Sequence, residues 1–122
     1  MVAAQLLGRS RRRRLVGSVV IRQGEIWLIE EPSAKARPGL VLVRNEAIDL
    51  LTNITVAPLT RTIRGIPSEV AIGRGEGVAF DCVATFDNIK SIPRALLTRR
   101  LGRIDPGRWH EVCSAMRASI GC

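Results

Sequence analysis

Arg37 stands where a polar loop meets a strongly apolar run. The stretch "GEIWLIEEPSAKARPGLVLVRN", residues 24–45, places Arg37-Pro38-Gly39 directly before "LVLV". A guanidinium is planar, permanently charged, and able to grip phosphate or carboxylate oxygens with paired hydrogen bonds. At the start of a buried strand it would be held rather than waving in water. At this point the alternative is an ordinary solvated loop arginine. The other reactive side chains suggest less. Three cysteines, Cys82, Cys113 and Cys122, form no CxxC pair, and His110 is the only histidine. A metal centre wants clustered ligands, so none is expected, nor any cofactor. The odd cysteine count fits free thiols in a reducing cytoplasm.

The charge balance points the same way as Arg37. Net charge is +8, and 17 of the 19 basic residues are arginine. Arg9 and Arg11 to Arg14 contribute five of these within an acid-free start, so the rest of the chain carries only +3. That balance would attract a polyanion such as nucleic acid without proving that one is bound. The opening "MVAAQLLGRSRRRRLVGSVVIRQ" mimics an export signal. Its apolar piece is broken by Gly and Ser and lacks a small-residue cleavage site, so export is rejected. No apolar run approaches a membrane span. Residues 1–17 read as a basic, flexible extension and residues 18–122 as one domain.

Several short strands must position these residues. "VVIRQGEIWLIE" reads as a strand with a turn at Gln23-Gly24. "LVLVRN", 40–45, is nearly continuous in apolar residues and predicts a strand buried on both faces. "EAIDLL" suggests one helical turn, and "TNITVAPLT", 52–60, another strand, with Pro58 near its end. "RTIRGIP" is a second basic loop, "SEVAI" a short strand, "GRGEG" a turn, and "VAFDCVATFDNIKSI", 78–92, a longer strand. Pro93 opens a helical turn in "PRALL", and "RRLGRI" is a final strand. Asp105-Pro106 then begins a helix, as N-cap and first helical residue. Trp109, Val112, Cys113, Met116 and Ile120 give it one apolar stripe against the core or a partner. Short strands with Gly/Pro turns followed by one helix predict a small, mainly β barrel.

The ordered set "RQGEIWLIE", "RPGLVLV", "VAPLTRT", "IPSEV", "DCVATFDNIKSIPRALLTRRLGRI" and an amphipathic tail helix resembles the MazF/PemK (Kid) toxin family over about residues 20–120. The resemblance implies an SH3-like β-barrel with a C-terminal α-helix, of the CcdB/PemK-like kind, assembled as a homodimer. It implies the toxin of a toxin–antitoxin module: a cytoplasmic, metal-independent endoribonuclease, or mRNA interferase. Such a protein cuts single-stranded RNA (mRNA, with tRNA or rRNA as alternatives) at short sequences, and a MazE-like antitoxin neutralises it. The family's catalytic arginine, in "RP", matches Arg37, and its threonine, in "PLT", matches Thr60. RNA brings its own nucleophile, the 2′-OH, so these two need only steady the phosphate. Attack in line would leave a 2′,3′-cyclic phosphate and a 5′-OH.

Two departures from the family touch the proton traffic. A histidine that some Kid-like members carry in the first loop is absent from "EEPSAKA". Their acidic residue matches Asp87, which the resemblance offers as a third catalytic group with a plain structural aspartate as the alternative, but the arginine two positions before it is Thr85 here. Arginine itself is a poor base. Lys35, Arg61 and Arg64, in the two loops beside the pair, are the RNA-contact candidates, with plain solubilising charge as their alternative. With Trp27, Phe80, Phe86 and Trp109 as the only aromatics, stacking surface is scarce. The rival expectation is a CcdB-like gyrase poison, which shares the barrel but only binds. Such proteins end in Trp-Gly-Ile, whereas this chain ends "SIGC".

Overall fold

The computed structural model describes residues 20–122, so the basic extension assigned to residues 1–17 lies outside the described residues. Seven strands follow one another: β1 (Glu25–Ile29), β2 (Arg37–Val41), β3 (Asn53–Thr60), β4 (Glu69–Ile72), β5 (Cys82–Thr85), β6 (Lys90–Pro93) and β7 (Leu97–Arg103). A single helical turn, α1 (Asn45–Ile48), lies between β2 and β3, and α2 (Trp109–Ile120) follows β7. All pairings are antiparallel, in the order β4-β5-β3-β2-β1-β7, with β6 also on β3. The sheet curls until its two edges approach. The turn after β4 packs backbone to backbone against β7, and a Cβ on Gly102 would collide with the Glu76 carbonyl. Only glycine permits that closure. The result is the small, mainly β barrel with a C-terminal helix that the sequence predicts.

The near-continuous apolar runs are explained by two cores, one on each face of the central strands. Ile26, Leu40, Ala57 and Leu59 pack with Val112 and Ala115 of α2. Trp27, Ile29, Val41 and Val56 pack on the other face with Ile48 of α1 and Leu97. Each buried Leu or Ile side chain stabilises the fold by roughly 1.5–3 kcal/mol relative to exposure. The predicted turn at Gln23-Gly24 is present, with Gly24 at φ 86°.

Three expectations need correction. The strand expected over 78–92 is two strands, β5 and β6, separated by a 3-10 turn at Phe86–Asn88. The cause is the eight-residue β3, which offers one edge to both: Asn53–Val56 pairs with β6, and Leu59 and Thr60 pair with β5. β2 runs from Arg37 to Val41 rather than over 40–45, so the arginine is a strand residue and not a loop residue, and Leu42 to Arg44 lead out of the strand into α1. Asp105 caps a 3-10 turn, accepting from the Gly107 N–H at 3.1 Å, and α2 proper starts at Trp109. The buried line of α2 runs through Val112 and Ala115. Trp109, Cys113 and Met116 are half-buried, and Ile120 is 67% exposed.

Candidate active site

The cleft that holds Arg37 is made by two strands coming apart. β2 and β3 pair at Val41–Val56, Leu40–Ala57 and Gly39–Pro58, and the pairing stops there. Continuing that register would set Pro38 opposite Leu59 and Arg37 opposite Thr60. The Leu42 N–H donates to the Thr55 carbonyl at 3.0 Å. Hydrogen-bonded rungs recur at every second pair of an antiparallel ladder, so the next ones fall at Leu40–Ala57 and then Pro38–Leu59. Proline has no N–H to give the last. Beyond it the strands keep only their outer partners: Pro38 and Arg37 pair with Leu28 and Ile29, and Leu59 and Thr60 pair with Ala84 and Val83. Pro58, one residue out of phase, turns its missing donor to the other side, near where β3 changes partner from β6 to β5. The motif's glycine has its own reason. A Cβ on Gly39 would lie 2.6 Å from Ile29 Cδ1 in the core beneath.

Between the parted ends lies an open cleft of about 310 Å³. Pro38, Leu59, Phe80 and Cys82 give it an apolar floor; Lys35, Arg37, Thr60, Arg61 and Thr62 give it a polar wall. By strand alternation Arg37 and Thr60 project from the same face of the sheet. Arg37 is exposed and Thr60 half-buried. The Thr60 Oγ1 accepts from the Thr62 N–H at 3.1 Å, which fixes the oxygen and leaves its own proton to donate. The lining contains three cations, no carboxylate and no imidazole. A surface of that kind holds an anion and develops no repulsion as negative charge grows on it.

The other sequence candidates distribute unevenly. Lys35 and Arg61 line the cleft, and Arg61 places its guanidinium carbon 4.4 Å from the centre of the Phe80 ring. Arg64 does not line it. Its loop is tied down by Glu69, whose carboxylate accepts from the Arg64 and Gly65 N–H groups at 3.1 and 2.9 Å. Asp87 does not line it either: it sits in the 3-10 turn after β5, accepting from the Ser68 hydroxyl at 2.6 Å. Thr85 is buried beside that turn. His110 is exposed on α2, with Nδ1 3.0 Å from the Gly107 carbonyl. Of the loop acids, Glu31 meets Lys90 at 3.4 Å.

Cys82 and Phe80 line the cleft without being among the residues singled out from the sequence. Nothing in their spacing marks them, because the cleft floor is assembled from β5 and the segment before it. Cys82 is a free, buried thiol, and burial first, then the nearby Asp81 and Glu76 carboxylates, push its pKa above the ordinary 9.0. It is therefore protonated and unreactive near neutrality. Among the described residues, no three His, Cys, Asp or Glu side chains gather as metal ligands. No described helix is long and apolar enough to cross a membrane.

Comparison with known proteins agrees with this architecture. Residues 22–120 match the family described as PemK-like, MazF-like toxin of type II toxin-antitoxin system. The chain is 44% identical to the "Probable endoribonuclease MazF2" of Mycobacterium tuberculosis, over 84% of this chain and all of that protein. It is 36% identical to the "Probable endoribonuclease MazF5" of the same organism, over 82% of this chain and 93% of that one. Among solved structures, the Mycobacterium tuberculosis toxin MazF-mt6 superposes with a TM-score of 0.74 at 32% identity, covering 80% of this chain and 96% of that chain. An antiparallel sheet that opens at Arg37 and Thr60, a tail helix over one face, and a family match across nearly the whole described domain lead to one conclusion: this chain belongs to the PemK-like, MazF-like toxins of type II toxin–antitoxin systems.

Proposed function

We propose that this chain is an endoribonuclease toxin that cuts single-stranded RNA, mRNA foremost, with Arg37 and Thr60 as the catalytic pair. One observation carries the reading: the two side chains share a cationic cleft that exists because β2 and β3 part at Pro38. The scissile phosphate sits between them. Arg37 donates two N–H bonds to its non-bridging oxygens, and Thr60 donates its hydroxyl proton. The neighbouring 2′-oxygen attacks phosphorus in line, the bond from phosphorus to the 5′-oxygen breaks, and a 2′,3′-cyclic phosphate and a 5′-OH result. Both donors gain strength as charge accumulates in the phosphorane, which is where binding lowers a barrier. The lining carries no ordinary base, so the 2′-OH proton leaves to water and the 5′-oxygen regains one from water. Lys35 and Arg61 hold the strand on either side. Asp87 serves the cleft at a distance, by fixing the turn that ends β5, and Arg64 meets RNA only outside the cleft.

The protein acts in the cytoplasm as a homodimer, with the half-buried stripe of α2 as part of the contact. Solved relatives include a mycobacterial endoribonuclease in complex with its cognate antitoxin and a MazE–MazF complex from Deinococcus radiodurans. A MazE-like antitoxin with an acidic segment would occupy the same cationic cleft and compete with RNA. The test is incubation of the purified chain with long RNA in EDTA, followed by end-group analysis. Chelator-resistant fragments with cyclic phosphate and 5′-OH ends are expected. Intact RNA together with blocked gyrase supercoiling would replace this reading with that of a gyrase poison.

A further inference from the structure

Phe80 belongs to no strand or helix, yet it is half-buried in the floor of the cleft, with Arg61 on its face. Arg61 is exposed, and no ion pair or side-chain hydrogen bond holds it among the described residues. A long side chain in that position would ordinarily sample many rotamers. The ring changes this. Its negative face attracts the cation, at 4.4 Å, well inside the range of about 6 Å over which such contacts act. The guanidinium carbon is then covered from below while the N–H groups stay free to donate. Arg61 lines the same cleft as Thr60 and Arg37, so the held cation stands within reach of a strand whose phosphate those two take.

Building on the RNA-cutting reading, we infer that Phe80 is a positioning residue: it seats Arg61 as the anchor for the phosphate next to the scissile one. RNA then lies with one phosphate between Arg37 and Thr60 and its neighbour on Arg61. Phe80 itself touches no reacting atom. Its contribution passes entirely through Arg61, and this separates it from a ring that stacks a base or merely packs the floor.

The experiment is a double-mutant cycle in the full chain with Phe80→Leu, Arg61→Ala and the double variant. Binding is read by anisotropy on a labelled, uncuttable 2′-O-methyl oligonucleotide of mixed sequence, and KM and kcat on long RNA. Arg61→Ala should weaken binding about tenfold, as loss of one charge-assisted bond does. It should also make the log–log salt dependence shallower by about 0.7. Phe80→Leu should weaken binding about threefold, the size of an exposed cation–π contact. The double variant should match Arg61→Ala alone, with the losses carried by KM. Phe80→Tyr and Phe80→Trp keep a ring face and should restore binding. Losses that multiply in the double variant, an unchanged salt slope in Arg61→Ala, or no rescue by the rings would overturn the inference. A wild type that shows this coupling but cuts no RNA would sink the cleavage reading and leave the anchor standing. Cutting combined with multiplying losses would do the reverse.

Discussion

Arg37 opens β2 and Thr60 closes β3, on one face of the sheet, at the point where the ladder between their strands ends. Neither residue is pulled from its strand to reach the other. Each remains paired outward, Arg37 with Ile29 and Thr60 with Val83. Both side chains are thereby supported on rigid backbone while the space between them stays open. A donor pair meant to meet a phosphate in its transition state needs that stiffness.

Removing either donor should abolish most of the cutting without unfolding the protein. Arg37→Ala is expected to lower kcat by about 100- to 1,000-fold, the range for loss of a preorganised donor. Arg37→Lys should recover little, because an ammonium cannot donate in the paired geometry. Thr60→Val should also fall sharply, while Thr60→Ser, which keeps the hydroxyl, should retain most activity. Thermal melts within a few degrees of wild type would show that the losses are chemical. Full activity in Arg37→Ala would remove the proposed site.

The parting of β2 and β3 can be tested at Pro38. Pro38→Ala restores an N–H where the rung to Leu59 is missing. The strands should then pair one step further and narrow the cleft. Cutting should drop several-fold, with stability unchanged or raised by up to about 1 kcal/mol, the net worth of one hydrogen bond. Amide exchange at residue 38 should be slow in this variant. A rapidly exchanging amide there, with normal cutting, would show that the cleft does not depend on the proline.

Asp87 should act on stability more than on rate. Asp87→Ala takes the acceptor from the buried Ser68 hydroxyl and should cost about 1–2 kcal/mol. Ser68→Ala with Asp87→Ala should then cost little more than Asp87→Ala alone, a coupling that a denaturation cycle measures. Cutting by Asp87→Asn should stay within about threefold of wild type, because its amide oxygen still accepts. A loss of 100-fold at full stability would instead return Asp87 to the reaction itself.

Cys82 gives the fold an alkaline limit. Its folded pKa is raised, so its proton is held more tightly in the folded chain than in the unfolded one. The stability this contributes is complete below the unfolded value, near 9.0, and is lost as pH rises toward the folded value. Urea midpoints should fall as pH rises above about 9 in wild type and fall less in Cys82→Ala. At neutral pH the native protein should show alkylation at Cys122, which is exposed, and none at Cys82, which is buried. Rapid labelling of Cys82 under native conditions would contradict both.

The chain's order of residues determined more here than its composition. Apolar runs such as "LVLV" required cover on both sides, and the two cores supply it, although the strand itself ends at Val41. Asp105-Pro106 required a helical start, and Arg37-Pro38-Gly39 before such a strand raised a guanidinium held at its mouth, with a solvated loop arginine as the alternative. These are local matters, set by a residue's own backbone and its near neighbours. Whether Arg37 and Thr60 share one cleft depended instead on a register between segments 23 residues apart, and the position of Asp87 on which strand β3 would accept along each half of its edge. Phe80 and Cys82 entered the cleft for the same reason. Pairing between distant strands is decided by where the whole sheet can curl, close at Gly102 and bury two cores at once. No stretch of sequence carries that condition alone, so the cleft, its floor and the seat of Arg61 belong to the tertiary structure.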